Sequence, residues 1–160
     1  PDLRVEFRDG VQRMFLDGED VTERIRTPEA AATASKVSAV GAVRERLVDL
    51  QREIARGRSV VMDGRDIGTV VLPDATVKIY LTASCEVRAK RRFDELTQAG
   101  KEIAYEQVLD DIVQRDYNDA HRAVSPMRQA DDAVRVDTSE MTRDEVVADI
   151  VRRVRAAIEA

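Results

Sequence analysis

Met62-Asp63-Gly64-Arg65-Asp66-Ile67-Gly68-Thr69 is the stretch of sequence that decides the fold class. It follows an apolar, β-branched segment over 59–62, which predicts a buried strand that ends where the glycines begin. Open α/β sheets bind ligands at the carboxyl ends of their strands. We therefore expect Arg65 and Asp66 at the mouth of a crevice, where a guanidinium can bind two phosphate oxygens. The alternative interpretation is a turn with an exposed ion pair.

Strands and helices alternate through the rest of the chain. The segments 77–82 and 133–137 are rich in β-branched residues and predict two further strands. Helices are predicted after Ser84, along the apolar stripe over 105–113, and after the capping box at 142–145. This order predicts an α/β fold in which helices flank a parallel sheet.

The first part of the chain has a different pattern. Apolar and charged residues alternate over 3–8, and Asp9-Gly10 then predicts a tight hairpin turn before a second strand over 11–16. Two helices follow. One begins with the capping signal at 27–29, and the other runs from about residue 42 to near Gly57. A small antiparallel piece is therefore expected ahead of the parallel sheet.

A second polar segment covers residues 114–122. If the preceding helix continues, Arg115, Asp119 and Arg122 are spaced at i, i+4 and i+7 and share one face. Two cations around an acid suit a phosphorylated sugar, because arginines bind phosphate and a carboxylate accepts from ribose hydroxyls. A solvated face with intrahelical ion pairs is an equally good interpretation. His121 lies beside them, but a lone surface histidine is rarely an acid or base.

A third segment, Arg88-Ala89-Lys90-Arg91-Arg92, is a basic run on a predicted amphipathic helix. Such a run is most often a solvated face and occasionally a nucleic-acid patch. The functional alternative is a lid that brings arginines over a transferring phosphoryl group.

Composition limits the partners of the chain. The formal net charge of −5 argues against a general polyanion binder, and no apolar run is long enough to span a membrane. A single cysteine excludes an internal disulfide, and one cysteine with one histidine makes no zinc site. We expect a cytoplasmic protein that binds neither nucleic acid nor a membrane.

Together these stretches resemble the cytidylate kinase family, almost from end to end. The matching segments are 16–21, 25–27, 63–75, 77–84, 88–92, 122–126 and 137–138. The resemblance implies a P-loop kinase fold, a three-layer parallel sheet flanked by helices with a small antiparallel monophosphate-binding insert. It places that insert within a subdomain over 1–57, and the rest of the core over 58–160 with an arginine-rich lid at about 86–104.

The resemblance also implies an activity and a set of site residues. The activity is transfer of the γ-phosphoryl group of ATP, with Mg²⁺, to CMP or dCMP, giving CDP or dCDP. The cytosine-reading positions are Ser35, Arg44 and Asp66. The ribose-reading pair is Arg115 and Asp119. The acceptor-phosphate contacts are Arg65 and Arg122, and the lid arginines are Arg88 and Arg92. We expect a monomer, and we identify no metal ligand in this chain.

One departure from the family pattern is large. The family begins with a strand, a Gly-rich loop that ends in Gly-Lys-Ser/Thr, and a helix, and no such pattern occurs in these 160 residues. We therefore expect a fold that is incomplete at its N-terminus and a chain that is nearly inactive alone. Two alternatives stay open at this point. One is a nucleotide-binding remnant that reads CMP without turnover, and the other is a small RNA-binding protein that uses 88–92.

Overall fold

The computed structural model describes residues 2–159, apart from the side chain of Pro28. It begins with an antiparallel sheet in the order β1-β2-β3, formed by β1 (Leu3–Arg8), β2 (Val11–Leu16) and β3 (Glu19–Asp20). Asp9 and Gly10 link β1 to β2 with φ values of 53° and 74°. A two-residue hairpin turn of type I′ needs positive φ at both central positions, which Asp tolerates and Gly favours. The predicted hairpin is confirmed.

Two helices follow this sheet after a short 3₁₀ turn at Arg24–Arg26, namely α1 (Pro28–Ser38) and α2 (Gly41–Ala55). The hydroxyl of Thr27 accepts a hydrogen bond from the backbone N–H of Ala30 at 3.1 Å. That bond satisfies one of the amide groups that a helix start leaves unpaired, as the capping signal predicts.

The chain divides into two compact units, with the boundary between Leu47 and Val48, inside α2. The antiparallel sheet and α1 belong to the first unit. A functional subdomain boundary after residue 57 stays a prediction.

The second unit is built on a parallel pair of strands, β4 (Ile79–Thr82) and β5 (Val134–Asp137), which pair from Ile79↔Val134 to Thr82↔Asp137. Its helices after α2 are α3 (Cys85–Gln98), α4 (Tyr105–His121) and α5 (Arg143–Glu159). Parallel pairing requires a crossover connection, and here the crossover contains α3 and α4. The mixed α/β class and the parallel pairing are confirmed.

The strand predicted over 59–62 is wrong. No strand occurs there in the described residues, and the Val61 side chain is fully exposed. A strand is defined by hydrogen bonds to a neighbouring strand, and β4 pairs only with β5 within residues 2–159. An apolar, β-branched run shows that a segment can form a strand, but it does not show that a partner lies beside it.

Capping interactions fix the starts of α3 and α5. The Ser84 hydroxyl accepts from the Val87 N–H at 3.2 Å. Before α5, the Glu145 carboxylate accepts from the N–H of Thr142 at 2.8 Å, and the Thr142 hydroxyl accepts from the N–H of Glu145 at 3.3 Å. This reciprocal pair is the predicted capping box.

Arg91 ties α3 to the segment that follows β5. Its Nη2 donates to the carbonyl of Thr138 at 2.7 Å and to that of Met141 at 3.3 Å. The Thr138 hydroxyl in turn donates to the carbonyl of Thr82 at 3.1 Å. These bonds hold the middle of α3, at Arg91, to the segment that follows the carboxyl end of β5.

Candidate functional site

The conformation of Asp66 is set by a single π-helical turn, Ile67–Val71. The Asp66 carbonyl accepts from the N–H of Val70 at 2.9 Å and, at 3.3 Å, from those of Thr69 and Val71. Such turns are rare and are frequent at functional sites. Asp66 is only 4% exposed. The sequence predicts a bend here, but glycine spacing gives no signal for this particular turn.

Two neighbours hold the π-helical turn in place. Arg52, near the end of α2, donates to the carbonyl of Val70 at 2.7 Å and to that of Val71 at 3.1 Å. A Cβ on Gly64 would lie 2.9 Å from Cγ1 of Ile67, so a larger residue would push the turn away. Sequence reasoning missed Arg52, because nothing in its spacing connects it with residues nearly twenty positions later.

Asp119, on the last turn of α4, lies between two guanidiniums. Its Oδ2 atom is 2.9 Å from Nε of Arg65 and 3.9 Å from Nε of Arg115. The Asp119 side chain is 10% exposed, whereas that of Arg115 is 54% exposed. The sequence correctly places Arg115 near Asp119. It does not predict that Arg65, from the loop before Asp66, is the closer partner.

Arg122 faces Asp66 instead of Asp119. Helix α4 ends at His121, and Arg122 has extended backbone with φ −65° and ψ 143°, so it leaves the face that Asp119 occupies. The predicted shared helix face therefore includes Arg115 and Asp119 but does not extend to Arg122. Its Nη2 lies 3.7 Å from Oδ2 of Asp66, and its Nε donates to the carbonyl of Ser125. The Met127 N–H also donates to the Asp119 carbonyl at 2.8 Å, which folds the segment 122–127 back onto the helix end.

Two buried polar atoms of this cluster lack a hydrogen bond within residues 2–159. They are Oδ2 of Asp119 and Nη2 of Arg122. Arg65 approaches that Asp119 oxygen closely enough for an ion pair but without the alignment of a hydrogen bond. Leaving a buried donor or acceptor unsatisfied costs about 1–3 kcal/mol, so native proteins keep few of them. A ligand with both a donor and an acceptor would satisfy both atoms.

Arg88 is held tightly on the first turn of α3. Its Nη1 and Nη2 donate to the two carboxylate oxygens of Asp116 at 3.1 and 2.6 Å, and its Nε donates to the carbonyl of Ala83 at 3.1 Å. The pKa of Arg88 is raised, mainly by the hydrogen bond with Asp116. Sequence reasoning missed Asp116, although its position three residues before Asp119 places both acids on one helix face.

Arg92 has a different environment from Arg88. It forms an exposed ion pair with Glu95, one turn along α3, at 2.7 Å. Surface pairs of this kind contribute little to stability.

Ser35 and Arg44 belong to the first unit. Ser35 lies on α1 and is exposed, whereas Arg44 lies on α2 and is 8% exposed. Their assignment as cytosine-reading residues stays a prediction.

The charges of the cluster in the second unit favour an anion. Three guanidiniums, Arg65, Arg115 and Arg122, lie near two carboxylates, Asp66 and Asp119, which leaves one net positive charge. Among the described residues, no group of three or more His, Cys, Asp or Glu side chains could hold a metal ion. In the same part of the chain, no helix is long and apolar enough to cross a bilayer.

A cavity of about 220 Å³ adjoins the π-helical turn, with Gly68 and Thr69 in its lining. Its lining also includes Lys78 and Asp132, which form an ion pair at 2.6 Å. Lys78 is the residue before β4, and Asp132 lies two residues before β5. The arginine–carboxylate cluster is the better candidate for a ligand site, because in the part of the chain that the structure describes it contains buried polar atoms without a hydrogen bond.

Fold and site together define an α/β protein with an arginine–carboxylate cluster suited to a phosphorylated ligand. The chain belongs to the cytidylate kinase family, whose model matches residues 2–156. It is 51% identical over 150 residues to a cytidylate kinase of Caldicellulosiruptor bescii, covering 94% of this chain and 66% of that relative. A cytidylate kinase of Mycobacterium leprae is 53% identical over 153 residues, covering 95% and 69%. The chain spans about two thirds of the length of these curated relatives.

Proposed function

We propose that the protein is a nucleoside monophosphate kinase, which transfers the γ-phosphoryl group of ATP to CMP or dCMP and forms CDP or dCDP. Family membership and relatives named cytidylate kinase support this proposal. The observation that carries it is a pair of buried atoms, Oδ2 of Asp119 and Nη2 of Arg122, which have ion-pair partners but no hydrogen bond within residues 2–159. A nucleotide offers hydroxyl donors to the carboxylate and phosphate oxygens to the guanidinium, so it can satisfy both.

The proposed roles in the second unit are those that the family resemblance implies, and the charges of the side chains are compatible with them. Asp119, with Arg115 beside it, reads the sugar, because an ionised carboxylate accepts from hydroxyls and repels phosphate. Arg65 and Arg122 bind the acceptor phosphate. Arg65 lies within ion-pair distance of the sugar-reading Asp119, so the same pair of side chains can contact adjacent groups of one nucleotide.

Cytosine-reading roles are proposed for Ser35 and Arg44 of the first unit and, separately, for Asp66 of the second unit, as the family resemblance implies. Cytosine presents a ring nitrogen and a carbonyl as acceptors and an exocyclic amine as a donor. A carboxylate accepts from the amine, and a guanidinium donates to the acceptors. The π-helical turn supports the role of Asp66, since it holds a buried carboxylate in a defined position.

Catalysis of phosphoryl transfer needs positioning and positive charge more than a protein nucleophile. We assign this work to Arg65 and Arg122 from the cluster and to the lid arginines Arg88 and Arg92. Mg²⁺ bound with ATP supplies further screening between the phosphates. We assign no protein ligand to this ion.

The basic run at 88–92 gives little support to RNA binding. Arg88 is paired with Asp116, Lys90 with Asp94, and Arg92 with Glu95. Arg91 donates to backbone carbonyls, as described above. Each cation of the run already has an acceptor, so less unpaired positive charge is left for a phosphate backbone than in a dedicated nucleic-acid patch.

The proposal is tested by product analysis with the full-length gene product. MgATP and CMP or dCMP are mixed with the protein, and chromatography follows CDP or dCDP. We expect both products, and Arg122→Ala should lower kcat/KM for CMP about tenfold or more. The 160-residue chain, which contains no Gly-rich phosphate-binding loop, should form almost none. Binding of CMP without any diphosphate from the full-length protein would favour the remnant that reads CMP without turnover.

A further inference from the structure

The guanidinium of Arg88 has almost no freedom in this structure. An arginine side chain has five N–H donors. Four of them are used here, two on the carboxylate of Asp116, one on the carbonyl of Ala83 and one on Sγ of Cys85 at 3.2 Å. Two of these partners are local, since Cys85 is the first residue of α3 and Ala83 lies two residues before it. Asp116, on α4, provides the bidentate contact that fixes the plane of the group.

Asp116 and Asp119, both on α4, each form an ion pair with an arginine from another part of the second unit. Asp116 holds Arg88 from α3, and Asp119 pairs with Arg65 from the loop before the π-helical turn. The two acids are three residues apart and share a helix face. One rigid helix therefore sets the positions of two guanidiniums, at the carboxyl end of β4 and at the cluster. The Asp116 and Arg88 side chains are only 26% and 32% exposed, which limits competition from water.

We propose that Asp116 is a positioning residue that orients Arg88 for the phosphoryl group in transfer. This role rests on the proposed function. Asp116 acts through Arg88 and touches no substrate. Its carboxylate keeps the guanidinium from adopting other rotamers, so little reorganisation is needed when charge develops on the phosphoryl oxygens. The remaining Nη1–H of Arg88 is free to donate to a phosphoryl oxygen while the contact with Asp116 persists.

The first test separates kcat from KM in the full-length gene product. Asp116→Ala should lower kcat about tenfold or more, while KM for CMP changes about threefold or less, because Arg88 acts on the transition state. Asp116→Asn should lie between, since one amide oxygen replaces two carboxylate oxygens. Asp111→Asn, an exposed acid on the same helix, is the matched control and should behave as wild type. Loss of CMP affinity with an unchanged kcat would contradict the proposal.

A double-mutant cycle with Arg88→Met tests whether Asp116 works through Arg88. In the Arg88→Met background, adding Asp116→Ala should change kcat about twofold or less. Equal losses in both backgrounds would overturn the positioning role. The Nε–H signal of Arg88, followed by NMR in the full-length gene product, should exchange faster in Asp116→Ala than in wild type. An unchanged signal would also count against it.

The outcomes distinguish this proposal from the proposed function. If the wild-type full-length protein makes no CDP from CMP, the kinase assignment fails, and the positioning role fails with it. If the wild type makes CDP but Asp116→Ala does so at the wild-type rate, only the positioning role fails.

Discussion

The Nε atom of Arg65 lies 2.9 Å from Oδ2 of Asp119, and this oxygen is buried without a hydrogen bond within residues 2–159. The proposed phosphate-binding arginine and the proposed sugar-reading acid are thus direct neighbours. An ion pair that lacks hydrogen-bond alignment can shift by a short distance to admit a hydroxyl group. We infer that this pair makes the sugar and phosphate contacts interdependent.

Asp119→Asn should weaken the use of CMP by the full-length protein. The amide keeps the size of the side chain but removes the charge that attracts Arg65 and Arg115 and strengthens bonds from sugar hydroxyls. Loss of a charge-assisted hydrogen bond costs about 1.5–3 kcal/mol, so kcat/KM for CMP should fall about tenfold or more. Steady-state kinetics measure this effect.

Thermal melts on the same variant exclude a purely structural effect. Asp111→Asn, on an exposed position of α4, serves as the control in both assays. A lower melting temperature for Asp119→Asn, with normal kinetics of the folded protein, would show that Asp119 braces the helix and does not bind sugar.

Arg52→Ala should destabilise the π-helical turn. It removes two charged donors from the carbonyls of Val70 and Val71. Because Arg52 is exposed, the expected loss is about 1–2 kcal/mol in the free energy of unfolding. Urea denaturation measures the loss, and hydrogen exchange should be faster for the amides of Val70 and Leu72. Arg56→Ala, just beyond the same helix, is the control, and equal stability of the two variants would contradict this account.

Asp20 should make the first unit sensitive to acid. Its pKa is lowered from 3.8 to about 2, chiefly by a hydrogen bond from the Thr22 side chain, then by the Thr22 N–H and by Arg13. A group with a lowered folded-state pKa stabilises the fold fully above its unfolded pKa, and this contribution is lost as the pH falls from 3.8 to about 2. NMR titration of the carboxyl carbon should give a midpoint near the lower value.

The matched variants for this titration are Asp20→Asn and Asp9→Asn. Urea midpoints of Asp20→Asn should change less than those of wild type over the same pH interval. Asp9→Asn should follow wild type, because Asp9 is exposed in the β1–β2 turn, where asparagine tolerates the positive φ. A midpoint for Asp20 close to 3.8 in the folded protein would contradict the hydrogen-bonding account.

Local signals in the sequence predict the helices well. The Thr27 cap and the Thr142–Glu145 capping box depend on contacts between residues three apart, so the sequence contains both partners. The hairpin turn at Asp9-Gly10 is local in the same way. The strand predicted over 59–62 depends on a partner strand, and no local pattern identifies that partner.

In the candidate site, too, the sequence predicts the contacts within one helix but not the contacts between different segments. Arg115 and Asp119 lie one turn apart on α4, so their proximity follows from helical spacing. Arg65 near Asp119, Arg122 near Asp66 and Arg88 near Asp116 all join residues from different segments. The resemblance identifies most of these residues as site positions but says nothing of which acid each arginine faces. That information requires the tertiary structure.

The most direct test of the central claim is a comparison of acceptor nucleotides in the full-length gene product. With saturating MgATP, kcat/KM is measured for CMP, dCMP, UMP, AMP and GMP from the diphosphate formed. A site that reads the amine and acceptor edge of cytosine should favour CMP and dCMP over the purine nucleotides about a hundredfold or more, and over UMP by a smaller factor. Equal or better use of AMP or GMP, or no diphosphate from any acceptor, would contradict the account.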